Sequence, residues 1–509
     1  MERHGVADDA RKVRGLAAYA LALVLPVVAV AAPAAPVVRV TGGMIRGVAS
    51  DDRQAVLFRG VPFAEAPLGA ARWSPPRPVK SWRGVRVASA RAPSCLQNDY
   101  RWNHDDHLRG REDCLTLDVR TPALSGRRPV MVWIHGGSNR AGSAGDTVLS
   151  SITKHGIVLV AIQYRLGIFG FVAPREAARE SGGAAGNYGL MDQIVALRWV
   201  KANIARFGGD PDQVTIAGES AGSQDVSLLM ASPQARGLFA QSIMESGTPG
   251  FGMPFRSLDD ALVIGDQLAI IAGGGNGPGS LRRLRTASAD ALLAADRQLT
   301  DGSLQTNDYM WLKTTIDGAV LPQSPRTLLA KAPARPLLIG SNRAEFGPSA
   351  GSLVFPESLR PIFGANSDKA ANFYQFGNKA AIRDPRLGHA ELEFSTDWLF
   401  RCPAGRMADL VAQRGAPTWR YEFDVADGAA LTSHAAELAY VFGEGRFGPG
   451  ISLAEYWANF VKSGNPNGGQ LPAWPPYVQS DRQHILFNAD GVSRQANLRQ
   501  PLCHLIDEL

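Results

Sequence analysis

Ser220 is the residue of this chain with the clearest potential for covalent chemistry. It lies in Gly218-Glu-Ser-Ala-Gly222, directly after the β-branched run Gln213-Val-Thr-Ile-Ala217. This order predicts a strand, a sharp turn and the start of a helix, and the two glycines remove side chains that would collide at the turn. The helix N-terminus offers unpaired N–H groups to an oxyanion forming beside the serine. Because the chain has 54 glycines, a plain glycine-rich turn is the alternative.

Acyl transfer by a serine also requires donors for the oxyanion, a base and an acid that orients the base. Ile134-His-Gly-Gly-Ser-Asn139 directly follows the apolar run Pro129–Ile134. Glycines at 136 and 137 would let the backbone approach a substrate carbonyl. We therefore expect the N–H groups of Gly137 and Ser138 to bind the oxyanion together with the N–H of Ala221, and a simple glycine turn is again the alternative.

The base is expected among the histidines that follow Ser220 in the chain, which are His389, His434, His484 and His504. His434 lies in the polar segment 431–437, shortly after the apolar run Trp419–Phe423. A loop at the carboxyl end of a sheet is expected at this position. Position therefore favours His434, with an ordinary surface histidine as the alternative.

Glu345 is the favoured acid because it follows the strand-like run Leu337–Ile339 and precedes His434. A solvated loop glutamate is the alternative, and Asp317 is a rival, although Asp317-Gly318 is typical of a turn. His104-Asp-Asp-His107 contains residue types that bind metals, but it lies in a short charged stretch that we expect to be a solvated loop. We expect neither a metal nor an organic cofactor.

The apolar runs predict the elements that must position these residues. Pro129–Ile134 and Ile157–Ile162 are uninterrupted, as strands buried on both faces of a parallel sheet are. Leu190, Ile194 and Leu197 recur at helical spacing before Gly208. The predicted order of elements is strand, helix, strand and serine turn. This is the order found in a doubly wound α/β sheet. A length of 509 residues suggests roughly two or three domains, but one large α/β domain with insertions also fits.

Residues 1–32 have the layout of a secretory signal peptide, with the basic Arg11-Lys-Val-Arg14 before an apolar run from Leu16 to Val30. An uncleaved membrane anchor is the alternative. Export would favour disulfides over metal ligands for the four cysteines, which allow three pairings. We expect a secreted or periplasmic bacterial protein without stable membrane insertion after cleavage. The net charge of +6 is spread along the chain, which disfavours nucleic-acid binding.

Together with the serine motif, several further segments resemble the type-B carboxylesterase/lipase family, the cholinesterase-like branch of the α/β-hydrolases. They are Phe58-Arg-Gly-Val-Pro-Phe-Ala64, Glu112-Asp-Cys-Leu-Thr-Leu-Asp118, Trp133-Ile-His-Gly-Gly137, Gly186-Asn-Tyr-Gly-Leu-Met-Asp-Gln193 and Phe442-Gly443.

This resemblance implies an α/β-hydrolase fold in one domain, residues 33–509, with a mostly parallel sheet flanked by helices and with helical insertions over the active site. It implies Ser220 as nucleophile, Glu345 as acid and His434 as base. It also implies the disulfides Cys95–Cys114 and Cys402–Cys503.

One segment departs from the family pattern. The family's oxyanion loop usually continues with glycine or alanine and an aromatic residue, whereas Ser138, Asn139 and Arg140 stand here. A polar and cationic pocket wall is implied, so we expect Gly136, Asn139 and Arg140 to contact substrate. Arg140 would bind an acyl group carrying a carboxylate, such as a tricarballylate ester, unless it faces solvent. Trp102 resembles the choline-binding tryptophan of cholinesterases, but its spacing differs.

The predicted function is that of a secreted serine carboxylesterase acting on small-molecule esters, and the sequence predicts no oligomeric state. An interfacial lipase acting on acylglycerols is one alternative. A non-catalytic binding protein on the same fold is another, although the chain has all three residue types of the triad in order.

Overall fold

The computed structural model describes residues 35–304, 309–347, 359–376, 384–426 and 430–507. The predicted signal peptide, residues 1–32, lies outside these ranges. Within them, no helix has the length and apolar character needed to cross a membrane.

The described residues form sixteen strands: β1 (Val37–Val40), β2 (Gly43–Arg46), β3 (Val48–Ala49), β4 (Val56–Pro62), β5 (Val85–Val87), β6 (Thr116–Thr121), β7 (Arg128–Ile134), β8 (Val158–Ile162), β9 (Gly209–Glu219), β10 (Gln241–Glu245), β11 (Leu337–Asn342), β12 (Thr418–Asp424), β13 (Arg446–Phe447), β14 (Ile451–Ser452), β15 (Gln483–Asn488) and β16 (Gly491–Ala496).

The α-helices of the same ranges are α1 (His104–Arg109), α2 (Gly167–Gly170), α3 (Arg175–Glu180), α4 (Tyr188–Asn203), α5 (Ala221–Ala231), α6 (Leu258–Ile271), α7 (Ser280–Thr286), α8 (Ala289–Asp296), α9 (Pro325–Leu329), α10 (Arg360–Phe363), α11 (Ser367–Tyr374), α12 (Ala390–Thr396), α13 (Cys402–Gln413), α14 (Leu438–Val441), α15 (Leu453–Ser463) and α16 (Gln500–Asp507).

One eleven-stranded sheet, in the order β16-β15-β12-β11-β10-β9-β7-β8-β6-β4-β3, runs through the described chain. The seven neighbouring strands from β15 to β8 pair in parallel, and the strands at both ends pair antiparallel. The predicted mostly parallel sheet flanked by helices is therefore confirmed. Two smaller sheets contain β1, β2 and β5, and β13 with β14.

Strand β7 shows why the central runs are apolar throughout. Val130, Val132 and Ile134 pack into one hydrophobic core, while Met131 and Trp133 pack into a second core. Successive side chains of a strand point to opposite faces, so a strand covered on both faces needs apolar residues at every position.

The apolar run His484-Ile-Leu-Phe487 predicts a late strand at the sheet edge, and its edge position is wrong. β15 has β16 outside it, paired from Gln483 with Ala496 to Asn488 with Gly491. Most side chains of β16 are exposed. Its sequence therefore lacks the apolar alternation by which a half-buried strand is recognised.

Both implied disulfides are present. Cys95–Cys114 closes the loop that carries α1, and Cys402–Cys503 joins α13 to α16. The expected solvated loop at 104–107 is instead part of α1. There the ring of His104 contacts Asp99 and the ring of His107 contacts the carbonyl of Gln97, so the two histidines do not converge on a common point.

Candidate active site

Ser220 occupies the turn between β9 and α5, so the predicted strand, turn and helix are present. Its backbone has φ 56° and ψ −124°, a conformation that costs a non-glycine residue about 1–3 kcal/mol. The Ser220 N–H donates to the carbonyl of Glu245 at 2.8 Å, and the Ser220 carbonyl accepts from Gln224 at 3.0 Å. Contacts on both sides therefore hold the strained residue.

Two glycines make this turn sterically allowed. A Cβ at Gly222 would lie 2.0 Å from the carbonyl oxygen of Ile134, and a Cβ at Gly218 would lie 2.5 Å from the carbonyl carbon of Gly222. Neither position has room for a side chain, because α5 packs directly against the end of β7.

Glu345 and His434 lie in the loops after β11 and β12, two neighbouring parallel strands. Carboxyl ends of parallel strands meet at one edge of the sheet, which brings the side chains together. His434 Nδ1 lies 2.6 Å from Glu345 Oε2. Glu345 Oε1 accepts the N–H of Asn342 at 2.7 Å, so the carboxylate is fixed at both oxygens.

The other ring nitrogen of His434 lies beside Glu219, the neighbour of Ser220. His434 Nε2 is 3.0 Å from Glu219 Oε1, but the contact lacks hydrogen-bond geometry. Nor does Nε2 have a hydrogen bond to Ser220 among the described residues. Ser220 and His434 line the same cavity. Catalytic hydrogen bonds are often long in free enzymes and shorten when substrate binds.

Burial lowers the pKa of His434, but Glu219 and Glu345 outweigh this effect and place that pKa well above its ordinary value. A third carboxyl group, Glu437, is fully buried nearby, and burial together with the charge of Glu219 raises its pKa to about 8. The two carboxyl groups that contact the imidazole nitrogens directly are Glu345 and Glu219.

The expected oxyanion loop lies against the serine turn. A Cβ at Gly136 would be 2.9 Å from the Cβ of Ser220. Gly137, Ser138 and Asn139 all have positive φ, at 110°, 57° and 55°. Gly137 and Ser138 line the cavity that contains Ser220, and Ala221 is the first residue of α5.

The cavity has a volume of about 920 Å³ and a mixed lining. Its large apolar side chains include Trp102, Tyr309, Phe346, Phe394, Trp398 and Leu399, and its polar ones include Asp106, Ser138, Arg140, Ser143 and Thr147. The Phe346 ring meets the His434 ring edge to face at 4.7 Å. The base is therefore bounded by an aromatic wall.

The pattern described as the carboxylesterase family matches residues 34–506. This chain belongs to the carboxylesterase family. It is a carboxylic ester hydrolase with an α/β-hydrolase fold, as the sequence resemblance implied.

Relatives of this esterase include liver carboxylesterase 1 of Oryctolagus cuniculus, which is 34% identical over 83% of each chain. Liver carboxylesterase of Sus scrofa is 34% identical over 87% of this chain and 86% of its own. Among solved structures, a PNB esterase has a TM-score of 0.78 at 29% identity, and carboxylesterase EST55 of Geobacillus stearothermophilus has 0.77 at 31%. Each covers 92% of this chain and 99% of its own.

Of the residues of this esterase that were expected to contact substrate, some line the cavity and one does not. Gly136 and Arg140 line the cavity, and the Arg140 guanidinium lies 4.1 Å from the centre of the Tyr100 ring. Asn139 does not line the cavity, contrary to expectation. Asn139 is only 1% exposed, and its side-chain amide donates a hydrogen bond to Asp225 beneath the loop. Trp102 is 60% exposed and lies on the cavity wall.

The rival acid and bases lie outside the cavity lining of the esterase. Asp317 accepts the N–H groups of Ala319 and Leu321 in a turn, as its sequence indicated. His484 is buried, and burial together with nearby arginines lowers its pKa to about 3, so its ring is neutral. His389 caps α12.

Sequence reasoning missed Glu219 as a neighbour of the base. The sequence indicates that Glu219 lies near the base, because a residue next to the serine cannot lie far from a histidine that reaches the serine. The direction of its side chain toward His434 Nε2 depends on the fold and cannot be predicted from the sequence.

Proposed function

We propose that this protein is an exported serine carboxylesterase that hydrolyses esters through an acyl-enzyme on Ser220. The observation that carries the proposal is that His434, which lines the cavity containing Ser220, pairs through Nδ1 with Glu345 at 2.6 Å. A nucleophile in a strained turn, a base oriented by a carboxylate and a glycine loop for the oxyanion therefore lie at one cavity.

In the acylation step, Ser220 Oγ attacks the ester carbonyl while His434 Nε2 takes the hydroxyl proton. Nε2 turns from Glu219 toward Oγ as the substrate enters. The carbonyl oxygen becomes an oxyanion, which the N–H groups of Gly137, Ser138 and Ala221 stabilise. The C–O bond to the alcohol then breaks, and His434 gives its proton to the departing alkoxide.

In the deacylation step, water attacks the acyl-enzyme and His434 takes its proton. The acyl–Ser220 bond breaks, the acid leaves, and the proton returns to Oγ. Glu345 keeps Nδ1 protonated and stabilises the imidazolium in both steps. The carboxylates of Glu219 and Glu345 beside the imidazole hold the pKa of His434 above its ordinary value, against the effect of burial.

The direct test is covalent labelling with a p-nitrophenyl phosphonate, followed by peptide mass spectrometry. We expect one adduct, on Ser220, with release of p-nitrophenol and loss of activity against p-nitrophenyl acetate. Ser220→Ala should take no label and lose about 10⁴-fold or more in kcat. A wild-type protein that ignores both reagents would refute the proposal.

We propose further that the acyl group carries a carboxylate, as in a tricarballylate ester, and that Arg140 contacts it. Arg140 lies on the cavity wall two residues after Ser138. Its stacking on Tyr100 orients the guanidinium. Burial raises the pKa of the neighbouring Asp296 to about 6, against the opposing charge of Arg140, so Asp296 is still mostly ionised near neutral pH. A substrate carboxylate would therefore bind at a site of mixed charge.

Matched esters measure this preference. For Arg140→Gln we expect kcat/KM for a succinyl ester to fall about tenfold or more relative to a butyryl ester of the same alcohol, because a charge-assisted hydrogen bond is lost. The butyryl ester is the internal control, since it has a methyl group where the succinyl ester has its terminal carboxylate. An unchanged ratio would exclude Arg140 as the specificity determinant.

Export is the remaining part of the proposal, with residues 1–32 as a cleaved signal peptide and 33–509 as one catalytic domain. Two features support export: the basic and apolar layout of residues 11–30, and the two disulfides, which persist in oxidising compartments.

A further inference from the structure

Asn139 stands in the middle of the oxyanion loop, but its side chain is turned into the protein. Nδ2 donates to Asp225 Oδ1 at 3.0 Å, and Oδ1 accepts from the hydroxyl of Tyr164 at 3.2 Å. The Asn139 carbonyl accepts from Gly167 at 2.7 Å. Hydrogen bonds from residues beneath the loop therefore hold both the side chain and the backbone of Asn139.

Asp225 is a fully buried carboxyl group on α5. It accepts from Asn139 and, at 2.5 Å, from Gln193 Nε2. Among the described residues it forms no ion pair, so neutral amides provide its hydrogen bonds. Burying a carboxyl group without a cation is costly, and burial raises its pKa to about 7. We therefore expect Asp225 to serve a function that offsets the free-energy cost of its burial.

The position of Asp225 connects the two halves of the oxyanion site. Ala221 begins α5, and Asp225 lies one helical turn further on the same helix. Ser138 immediately precedes Asn139 in the loop. The helix that carries the Ala221 N–H therefore also carries the anchor for the loop that carries the Gly137 and Ser138 N–H groups.

The loop backbone requires such an anchor. Gly137, Ser138 and Asn139 lie consecutively at positive φ. Glycine adopts this region freely and asparagine tolerates it, but serine has no such advantage. Without the bond to Asp225, Gly167 would still hold the Asn139 carbonyl, but the loop would be less restrained and its N–H groups would shift away from the oxyanion.

We propose that Asn139 and Asp225 are a pair of positioning residues that set the Gly137 and Ser138 N–H groups against that of Ala221. The inference rests on the proposed function, because it assigns the pair to the oxyanion site of that reaction. The pair does not touch the ester and acts through the loop backbone.

Asn139→Gly is the decisive variant, because glycine keeps the freedom to adopt positive φ and removes the side chain that bonds Asp225 and Tyr164. We expect kcat for p-nitrophenyl butyrate to fall about 10- to 100-fold with KM within about twofold, since the oxyanion donors act in the transition state. Asn203→Ala is the control. It also removes a buried asparagine, bonded to Thr41 and Trp199 and absent from the cavity lining, and should leave kcat unchanged.

A double-mutant cycle tests the pairing. Asp225→Ala should lower kcat to a similar extent, and Asn139→Gly combined with Asp225→Ala should be no slower than the worse single variant. If Asn139→Gly does not fold, Asp225→Asn replaces it. The amide introduced by Asp225→Asn would offer one acceptor oxygen to two amide donors, so kcat should fall about 3- to 10-fold with KM unchanged.

Two results would overturn the pairing: wild-type kcat in Asn139→Gly or Asp225→Asn, or single-variant losses that multiply in the double variant. These are separable from failure of the proposed function. That failure would appear as wild-type protein without Ser220-dependent ester hydrolysis.

Discussion

Replacing Glu345 with glutamine should lower kcat for p-nitrophenyl butyrate by about 10³- to 10⁴-fold, because the catalytic histidine loses its charged partner. Glutamine has the same shape but no charge. Its amide can also present N–H groups to His434 Nδ1 in place of the carboxylate oxygen at 2.6 Å, which favours the wrong tautomer. Steady-state kinetics on purified variant, with circular dichroism to verify folding, measure the effect.

The pH profile of the same variant separates catalysis from folding. His434 acts as a base only when neutral, so kcat/KM rises with pH as its imidazolium loses a proton. Removing the Glu345 charge lowers the pKa of His434, because this carboxylate helps to hold it well above its ordinary value. The acid limb of the residual activity should therefore shift to lower pH.

Asp317→Asn is the matched control, because it neutralises the rival acid by the same one-atom exchange. Asp317 is buried in a turn and lies outside the cavity lining, so kcat per folded molecule should equal that of wild type. Loss of activity in Asp317→Asn with retention in Glu345→Gln would reverse the assignment of the acid.

Removing the Cys402–Cys503 disulfide should lower the free energy of unfolding by about 4–5 kcal/mol. The bridge closes a loop with a sequence separation of 101 residues, which strongly restricts the unfolded chain. Cys95–Cys114 spans only 19 residues, and its loss should cost about 3 kcal/mol. Urea unfolding of the two double-serine variants without reductant measures the difference.

The longer bridge should also affect substrate binding. Cys402 starts α13 immediately after the segment that places Trp398 and Leu399 on the cavity wall. We expect KM to rise in the variant lacking this bridge, because Trp398 and Leu399 lose the anchor that follows them in the chain. A larger loss of stability from the shorter bridge would contradict the loop-length argument.

The sequence was sufficient for the parts of the molecule that follow local rules. The uninterrupted apolar residues of β7 predicted a strand covered on both faces, and the order of Ser220, Glu345 and His434 selected the residues that the fold brings to one edge. Side-chain direction was less accessible. Asn139 was expected to contact substrate because it belongs to the polar segment that replaces the family's usual oxyanion-loop residues. Its side-chain direction depends on Asp225, which lies 86 positions away and which no local pattern connects with it. The edge strand β16 was missed because solvent covers most of its side chains.

Glu345 and His434 are 89 residues apart, yet each follows one of two adjacent parallel strands. Among the described residues of the chain between β11 and β12, Phe394, Trp398 and Leu399 line the cavity. The length and sequence of this connection can change without separating the acid from the base, because β11 and β12 fix both of its ends. Substrate range can therefore evolve within this connection while the reaction chemistry stays constant.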